Sequence, residues 1–279
     1  MKKILFSLPS LLFFFIASAQ ESASCCDIDA TNMYARNAVD KKFVASHDAP
    51  IPFHYISANG KDIGFPTSDG KEAHGWEVKS EKPSNYYIFV IHEWWGLNDY
   101  IKQETEKLSK DLGINAIAID LYDNKVATTQ EEAGKIMQSI SKERAENIIK
   151  GAFAKVGPNV KVFTIGWCFG GGWSLQATLM GGKQSSGCVM YYGQPEKNVD
   201  RLKTLNADVL GLFGNLDQWP SPQVVDEFVA NMDKAGKKLI VKRYEATHAF
   251  ANPSNPKFNR EATEDAYKNV MSFLKERIK

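Results

Sequence analysis

The sequence predicts an α/β protein built on a mostly parallel, doubly wound sheet with an antiparallel N-terminal entry, and three observations carry that reading. Six short, mainly apolar runs, Tyr86–Ile91, Ile114–Ile119, Val160–Ile165, Cys188–Tyr192, Val209–Phe213 and Leu239–Tyr244, read as strands buried on both faces. Helical stretches separate them, and strands alternating with helices imply right-handed crossovers. Ahead of the first run, turn signals at Asn59-Gly60 and Asp69-Gly70 divide short segments that can pair as hairpins.

From the N terminus, residues 1–19 read as a signal peptide. Lys2 and Lys3 precede an apolar stretch from Ile4 to Ile16, and Ala17-Ser18-Ala19 supplies a small-residue cleavage site. A membrane span needs about 20 apolar residues, and this run is shorter. The expected address is therefore export, periplasmic or secreted, with no membrane association after signal-peptide removal. Lipid anchoring at Cys25 is a minor alternative, weakened by Ser22 where an aliphatic residue is usual.

Residues 20–52 are polar, lack sustained periodicity and end in Pro50-Ile51-Pro52. They read as an extension that is loosely ordered or packed on the domain. Residues 53–279 are then the main domain, long enough for one α/β core. Within it, Ile101, Leu108 and Leu112 share a helical face, and Gly113 stands where a C-cap glycine belongs. The last helix, from about Lys257, places Ala262, Ala266, Val270 and Phe273 together.

Composition narrows the function. Without Lys2 and Lys3 the chain has 32 basic and 33 acidic residues, a formal charge of −1, and no basic cluster of the kind nucleic acid requires. Four cysteines, Cys25, Cys26, Cys168 and Cys188, are too few for a disulfide scaffold. The strand reading sets Cys168 and Cys188 at opposite ends of neighbouring parallel strands, on the order of 15 Å apart at about 3.3 Å per residue. A disulfide needs Cα atoms within about 7 Å, so Cys168 is expected to be a free thiol.

Chemistry concentrates at Gly166-Trp167-Cys168-Phe169-Gly170, which follows a strand and leads into a helix. That is the setting of a nucleophile elbow, where side chains two positions either side of the nucleophile would collide and glycine is favoured. A thiol at a helix N-terminus is also expected to have a lowered pKa. In such a fold the acid and the histidine follow on later strands. Asp217 comes after Val209–Phe213 and His248 after Leu239–Tyr244. His47, His54 and His74 precede the parallel sheet and His92 ends its first long strand, which leaves His248 as the candidate base.

The run His92-Glu93-Trp94-Trp95-Gly96-Leu97-Asn98, with Asp120-Leu121-Tyr122, Gly166-Trp167-Cys168-Phe169-Gly170-Gly171, Tyr191-Tyr192-Gly193, Gly214-Asn215-Leu216-Asp217 and Thr247-His248-Ala249-Phe250-Ala251, resembles the dienelactone hydrolases in order and spacing, from about Phe53 to Lys279. The resemblance implies an α/β-hydrolase fold and a carboxylate beside the cysteine, here Glu93, that holds the resting thiol and takes part in forming the thiolate. It further implies hydrolysis of a small-molecule ester or lactone through a thioester on Cys168. Backbone N–H groups of Phe169 and Trp94 are placed for the oxyanion hole.

No metal or organic cofactor is required. Trp94, Trp95, Trp167, Trp219 and Phe250 flank the expected site, and Trp95, Tyr122, Asn124, Trp219, Phe250 and Asn252 are the candidate substrate contacts. Asn124 and Asn252 stand where carboxylate-binding members of the family carry arginines, and Asp123 beside Asn124 would oppose an anion, so the expected substrate is neutral or less acidic than dienelactone. Lys125, Lys257 and Arg260 are the possible cationic substitutes. Two readings from other classes are a catalytically silent binding module on the same scaffold and thiol redox or metal capture through Cys25 and Cys26.

Overall fold

Eight strands make a single sheet, and five of them, β3 to β7 below, are apolar enough to be covered on both faces. In the computed structural model, which describes residues 30–279, β1 (Gly60–Pro66), β2 (Glu72–Val78), β3 (Tyr86–Ile91), β4 (Asn115–Ile119), β5 (Lys161–Trp167), β6 (Ser185–Tyr191), β7 (Val209–Gly214) and β8 (Leu239–Tyr244) lie in the order β1-β2-β4-β3-β5-β6-β7-β8. β1 pairs antiparallel with β2 and β2 antiparallel with β4, while every pairing from β4 to β8 is parallel. The signal-peptide reading of residues 1–19 and any role for Cys25 and Cys26 lie outside the described residues.

The expected strands recur with one correction. β8 is half-exposed along most of its length and not buried on both faces, because it ends the sheet and pairs with β7 alone. Edge strands carry charge for this reason, here Lys242 and Arg243. The register of β5 against β6 sets Thr164, four residues before Cys168, beside Cys188, and both cysteines are free thiols.

Helices α1 (Ala30–Asn37) and α2 (Lys41–Ala45) precede the sheet. α3 (Asp99–Leu112), α4 (Gln130–Ser139), α5 (Lys142–Val156), α6 (Phe169–Gly181), α7 (Val199–Leu202), α8 (Pro222–Lys234) and α9 (Arg260–Lys275) alternate with its strands. Asn98 caps α3 by accepting from the Ile101 N–H, and Gly113 ends it in the left-handed conformation, φ 66°. Leu108 and Leu112 face the core from α3; Ala262, Ala266, Val270 and Phe273 do so from α9. No helix among the described residues is long and apolar enough to cross a membrane.

α6 is buried on nearly every side, since the sheet covers one face and α1 packs against another. The extension is thus tied down over residues 30–47. Asp40 caps α2 by accepting from the N–H groups of Lys42 and Phe43, Tyr34 and Phe43 are fully buried, and the Tyr34 hydroxyl accepts from the Gln194 N–H at 3.1 Å. The Gln130 amide, at the start of α4, donates to the carbonyls of Val44 and His47 at 2.9 and 2.7 Å. Each of the two aromatic side chains contributes about 1.5–3 kcal/mol through burial.

One contact governs how α6 meets the sheet. A Cβ on Gly170 would stand 2.2 Å from the Ile91 carbonyl oxygen and 2.4 Å from that of His92, so only glycine lets the first turn of α6 lie on the end of β3. Gly170→Ala should therefore cost about 2–3 kcal/mol, the range for forced overpacking, read as a shift in the urea unfolding midpoint. A loss under about 0.5 kcal/mol, the size of an ordinary surface change, would show that the helix can move away.

Candidate active site

The turn between β5 and α6 is too tight for ordinary backbone. A Cβ on Gly166 would come within 2.1 Å of the Gly170 carbonyl oxygen, the collision expected two positions either side of an elbow nucleophile. Cys168, between them, has φ 54° and ψ −117°, a conformation that costs an L-residue on the order of 1–3 kcal/mol. Its N–H donates to the Tyr191 carbonyl at 3.0 Å, and its own carbonyl accepts from the Gly171 and Gly172 N–H groups as α6 begins. The Phe169 N–H favours the charged form of the sulfur, as the smallest of the influences on it.

Loops at the same edge of the sheet deliver the other groups. Asp217 lies three residues beyond β7 and His248 four beyond β8, both buried, and Nδ1 of His248 stands 2.8 Å from Asp217 Oδ2. Since a carboxylate only accepts, that nitrogen carries the proton and donates it. The other Asp217 oxygen accepts from the Trp219 N–H at 2.7 Å. His248 Nε2 is aimed at the interior and has no hydrogen-bond partner among the described residues.

A residue that the sequence reading set aside meets the sulfur directly. His47, just beyond α2, is buried, and its Nε2 lies 3.5 Å from Cys168 Sγ. Its Nδ1–H donates to the Phe43 carbonyl at 2.8 Å. The ring sits 4.6 Å from that of Trp94 and 4.9 Å from that of His248, centroid to centroid. Phe43 packs edge-on against Trp94 and Trp219, and Tyr34 edge-on against Phe169. Together these side chains from residues 30–47 leave Cys168 with no exposure to solvent.

Glu93 follows β3 and is buried. The Tyr192 hydroxyl donates to one of its oxygens at 3.1 Å and the Asn252 amide to the other at 2.6 Å. It is His47, not Glu93, that hydrogen-bonds the sulfur.

Burial fixes the direction of most charges here. It pushes the Cys168 thiol up, with His248 pulling only part of the way back. This corrects the expected lowered pKa, because the extension removes the solvent that a thiolate needs. Burial also pushes Glu93 up, against the pull of His248 and of its two hydrogen bonds. His248 loses charge stability to burial but gains more from Asp217 and the sulfur, so it stands well above an ordinary histidine. His47 is held well below one, by burial first and then by the charge of His248.

The candidate substrate contacts divide into four groups. Trp95 and Asn252 line a cleft of about 540 Å³ together with Glu93, Trp167 and Tyr191. Trp219 lines a smaller one of about 330 Å³ with Ser46, His248 and Lys257. Tyr122 and Phe250 are fully buried instead, Phe250 packing on Tyr192 and Tyr244 and Tyr122 on His92 and Phe169. Asn124 is exposed in a left-handed turn, φ 66°. Asp123 does not stand ready to repel an anion, because Arg144 neutralises it at 2.6 Å.

His92 is a core histidine, its Nδ1–H donating to the Glu93 carbonyl and its Nε2 accepting from the Leu121 N–H. Tyr34, Phe43 and His47 were missed in the sequence. The one local signal for them is Asp40, a helix cap before Lys41–Ala45.

The sequence matches the dienelactone hydrolase family over residues 74–278. A putative carboxymethylenebutenolidase of Saccharolobus solfataricus is 26% identical over 253 residues, covering 76% of this chain and 96% of that protein. Among solved structures, a dienelactone hydrolase-like promiscuous phosphotriesterase from metagenomic libraries superposes with a TM-score of 0.70 at 20% identity, over 80% of this chain and 100% of that one. A putative dienelactone hydrolase from Klebsiella pneumoniae gives 0.64 at 20% identity, over 76% of this chain and 98% of that one. At these identities the two structures establish the fold.

The depressed His47 gives docking of residues 30–47 a pH dependence. An unfolded or undocked histidine takes up a proton near pH 6.5, while the docked one resists it. The contribution is therefore complete above about pH 6.5 and is lost as the pH falls toward the docked pKa. His248, with its raised pKa, acts in the opposite direction. Hydrogen exchange over residues 41–47, corrected for intrinsic rates, should show weaker protection at pH 5 than at pH 8, and His47→Gln should flatten the difference. Equal protection at both pH values in the wild-type chain would contradict the assignment.

Proposed function

Because the chain belongs to the dienelactone hydrolase family, we propose that it is an exported ester or lactone hydrolase whose nucleophile is Cys168, whose base is His248 and whose orienting acid is Asp217. The observation that carries this reading is the convergence of the elbow thiol with the Asp217–His248 hydrogen bond at one edge of the sheet. The domain plan that goes with it is a signal peptide over 1–19, an extension over 20–52 and a catalytic domain over 53–279.

In the proposed reaction His248 Nε2 takes the proton of the Cys168 thiol, and the sulfur adds to the ester carbonyl. The carbonyl π electrons move to oxygen, where the Phe169 and Trp94 N–H groups stabilise the oxyanion. Its collapse expels the alcohol oxygen, which His248 protonates, and leaves a thioester. Water then gives a proton to His248 and attacks the thioester, releasing the acid and restoring the thiol. Asp217 holds the imidazole with Nε2 facing the reacting atoms throughout. Glu93, fixed by Tyr192 and Asn252, is the buried acid that raises the cost of forming the thiolate until substrate is present.

Reaching the sulfur requires residues 30–47 to shift, since Tyr34, Phe43 and His47 cover it. The same burial is what a catalytically silent binding module would show, and turnover decides between the two. Cys168→Ala should abolish hydrolysis of a chromogenic ester while preserving the unfolding midpoint. His248→Ala should be comparably damaging, because triad members act as a unit. A folded Cys168→Ala protein that retained wild-type turnover would overturn the mechanism, and a wild-type protein inert to esters, lactones and thioesters alike would favour the silent module.

Substrate charge is the second test. The Asn124 and Asn252 side chains offer no charged fork for a carboxylate, and Asn252 is already bonded to Glu93. Among the described residues, Lys42 and Lys257 are the two lysines that line the smaller cleft. A neutral ester should therefore be cleaved with a higher kcat/KM than its carboxylate-bearing analogue. A strong preference for the anion that weakens with added salt would contradict this and point to those lysines.

A further inference from the structure

We propose that His47, Cys168 and His248 form a binding site for a borderline divalent cation of the zinc class, and that such a cation closes the hydrolytic centre by ligating its nucleophile and its base. Cys168 Sγ and one ring nitrogen from each histidine all lie within 4.8 Å of one another, and all three residues are buried. The His47 Nε2 to Sγ separation is 3.5 Å. Two ligands at about 2.0 Å (nitrogen) and about 2.3 Å (sulfur) from a tetrahedral cation stand roughly that far apart.

The outer partners match those of a ligating histidine, which donates its second ring N–H to a carboxylate or a backbone carbonyl. His248 donates Nδ1–H to Asp217 and His47 donates Nδ1–H to the Phe43 carbonyl. Both rings thereby present Nε2 to the sulfur. His248 Nε2 is buried and without a hydrogen-bond partner among the described residues, an expense for a polar group in a protein interior. A cation between the three atoms removes that expense. Two nitrogens and a thiolate, with one position left for an exchangeable ligand, is the donor set of a zinc or cobalt(II) site.

The charge balances. Ligation releases the proton of the thiol and any proton on His248 Nε2 to solvent, and the cation's two positive charges replace them beside Asp217. His248 borders the smaller cleft next to Ser46 and Lys257, which gives the ion a path. Because His47 belongs to the extension while Cys168 and His248 belong to the sheet edge, the complete set exists only with residues 30–47 docked. The cation would then fasten that segment over the nucleophile. Inhibition rests on the proposed roles of Cys168 and His248, but binding does not.

The test uses the full mature chain, stripped of metal by a chelator and titrated with Co²⁺. The expected result is a thiolate-to-cobalt charge-transfer band that excess Zn²⁺ removes and that Cys168→Ser lacks. His47→Gln should weaken Co²⁺ binding by at least about tenfold, the lower end for losing support of a metal site, with its fold checked by circular dichroism. In the unmodified protein Zn²⁺ should also slow alkylation of Cys168 and stop ester turnover over one concentration range, which requires no variant. Absence of the thiolate band, unchanged affinity in folded His47→Gln, or alkylation and turnover indifferent to Zn²⁺ would overturn the proposal. A metal-free protein that never hydrolysed esters yet gave the thiolate band would instead defeat the hydrolytic reading and leave the site standing.

Discussion

The close approach of α6 to the sheet is the constraint on which the rest of the site depends. The first turn of that helix rests against the carbonyls that end β3, with no room for a Cβ at Gly170, and the preceding turn leaves none at Gly166. Between these contacts the chain has no choice but to carry Cys168 through a strained conformation at the head of the helix. The sulfur therefore stands at the C-terminal edge of the sheet, where the loops after β3, β7 and β8 bring Glu93, Asp217 and His248. Strain at one residue is offset by packing and hydrogen bonding across many, including the Cys168 N–H on Tyr191 and the start of α6 on the Cys168 carbonyl.

Much of this was legible in the sequence because it depends on local rules. A strand covered on both faces must be apolar throughout, so β3 to β7 announced themselves; β8 was recognised as a strand, but its place at the edge is a matter of sheet order. Glycines flanking Cys168 pointed to the elbow, and chain order separated His248 from the other histidines. The extension was not legible for equally physical reasons. α1 and α2 have eight and five residues, too short for periodicity to be visible, and His47 meets a sulfur 121 residues away. The direction of the Cys168 pKa failed with it: a helix N-terminus favours the thiolate, but the cover over the sulfur outweighs it. Tyr122 and Phe250 are aromatic neighbours of the site that the core claimed.

The extension couples fold and chemistry. Tyr34 and Phe43 bring apolar surface to Cys168, and Gln130 fastens the end of the segment to α4. On the proposed mechanism, an equilibrium of a few kcal/mol between docked and undocked forms would leave about 0.1–10% of molecules open, and the turnover rate would scale with that fraction. On the proposed readings, substrate, acid and a ligating cation would each act on that equilibrium through His47 or through the atoms that it covers. On the proposed mechanism, the intrinsic reactivity of Cys168, His248 and Asp217 and the fraction of time that they are accessible are separate quantities, set by different parts of the chain.

The most direct test of a thiol nucleophile is to catch the acyl group on it. A slowly deacylating ester, mixed with the protein and quenched in acid within the first turnover, should raise the intact mass by one acyl group, removable by hydroxylamine and located by peptide mapping on Cys168. An acyl group found on another residue, or steady turnover with no covalent adduct at any time, would contradict the assignment of Cys168 as the nucleophile.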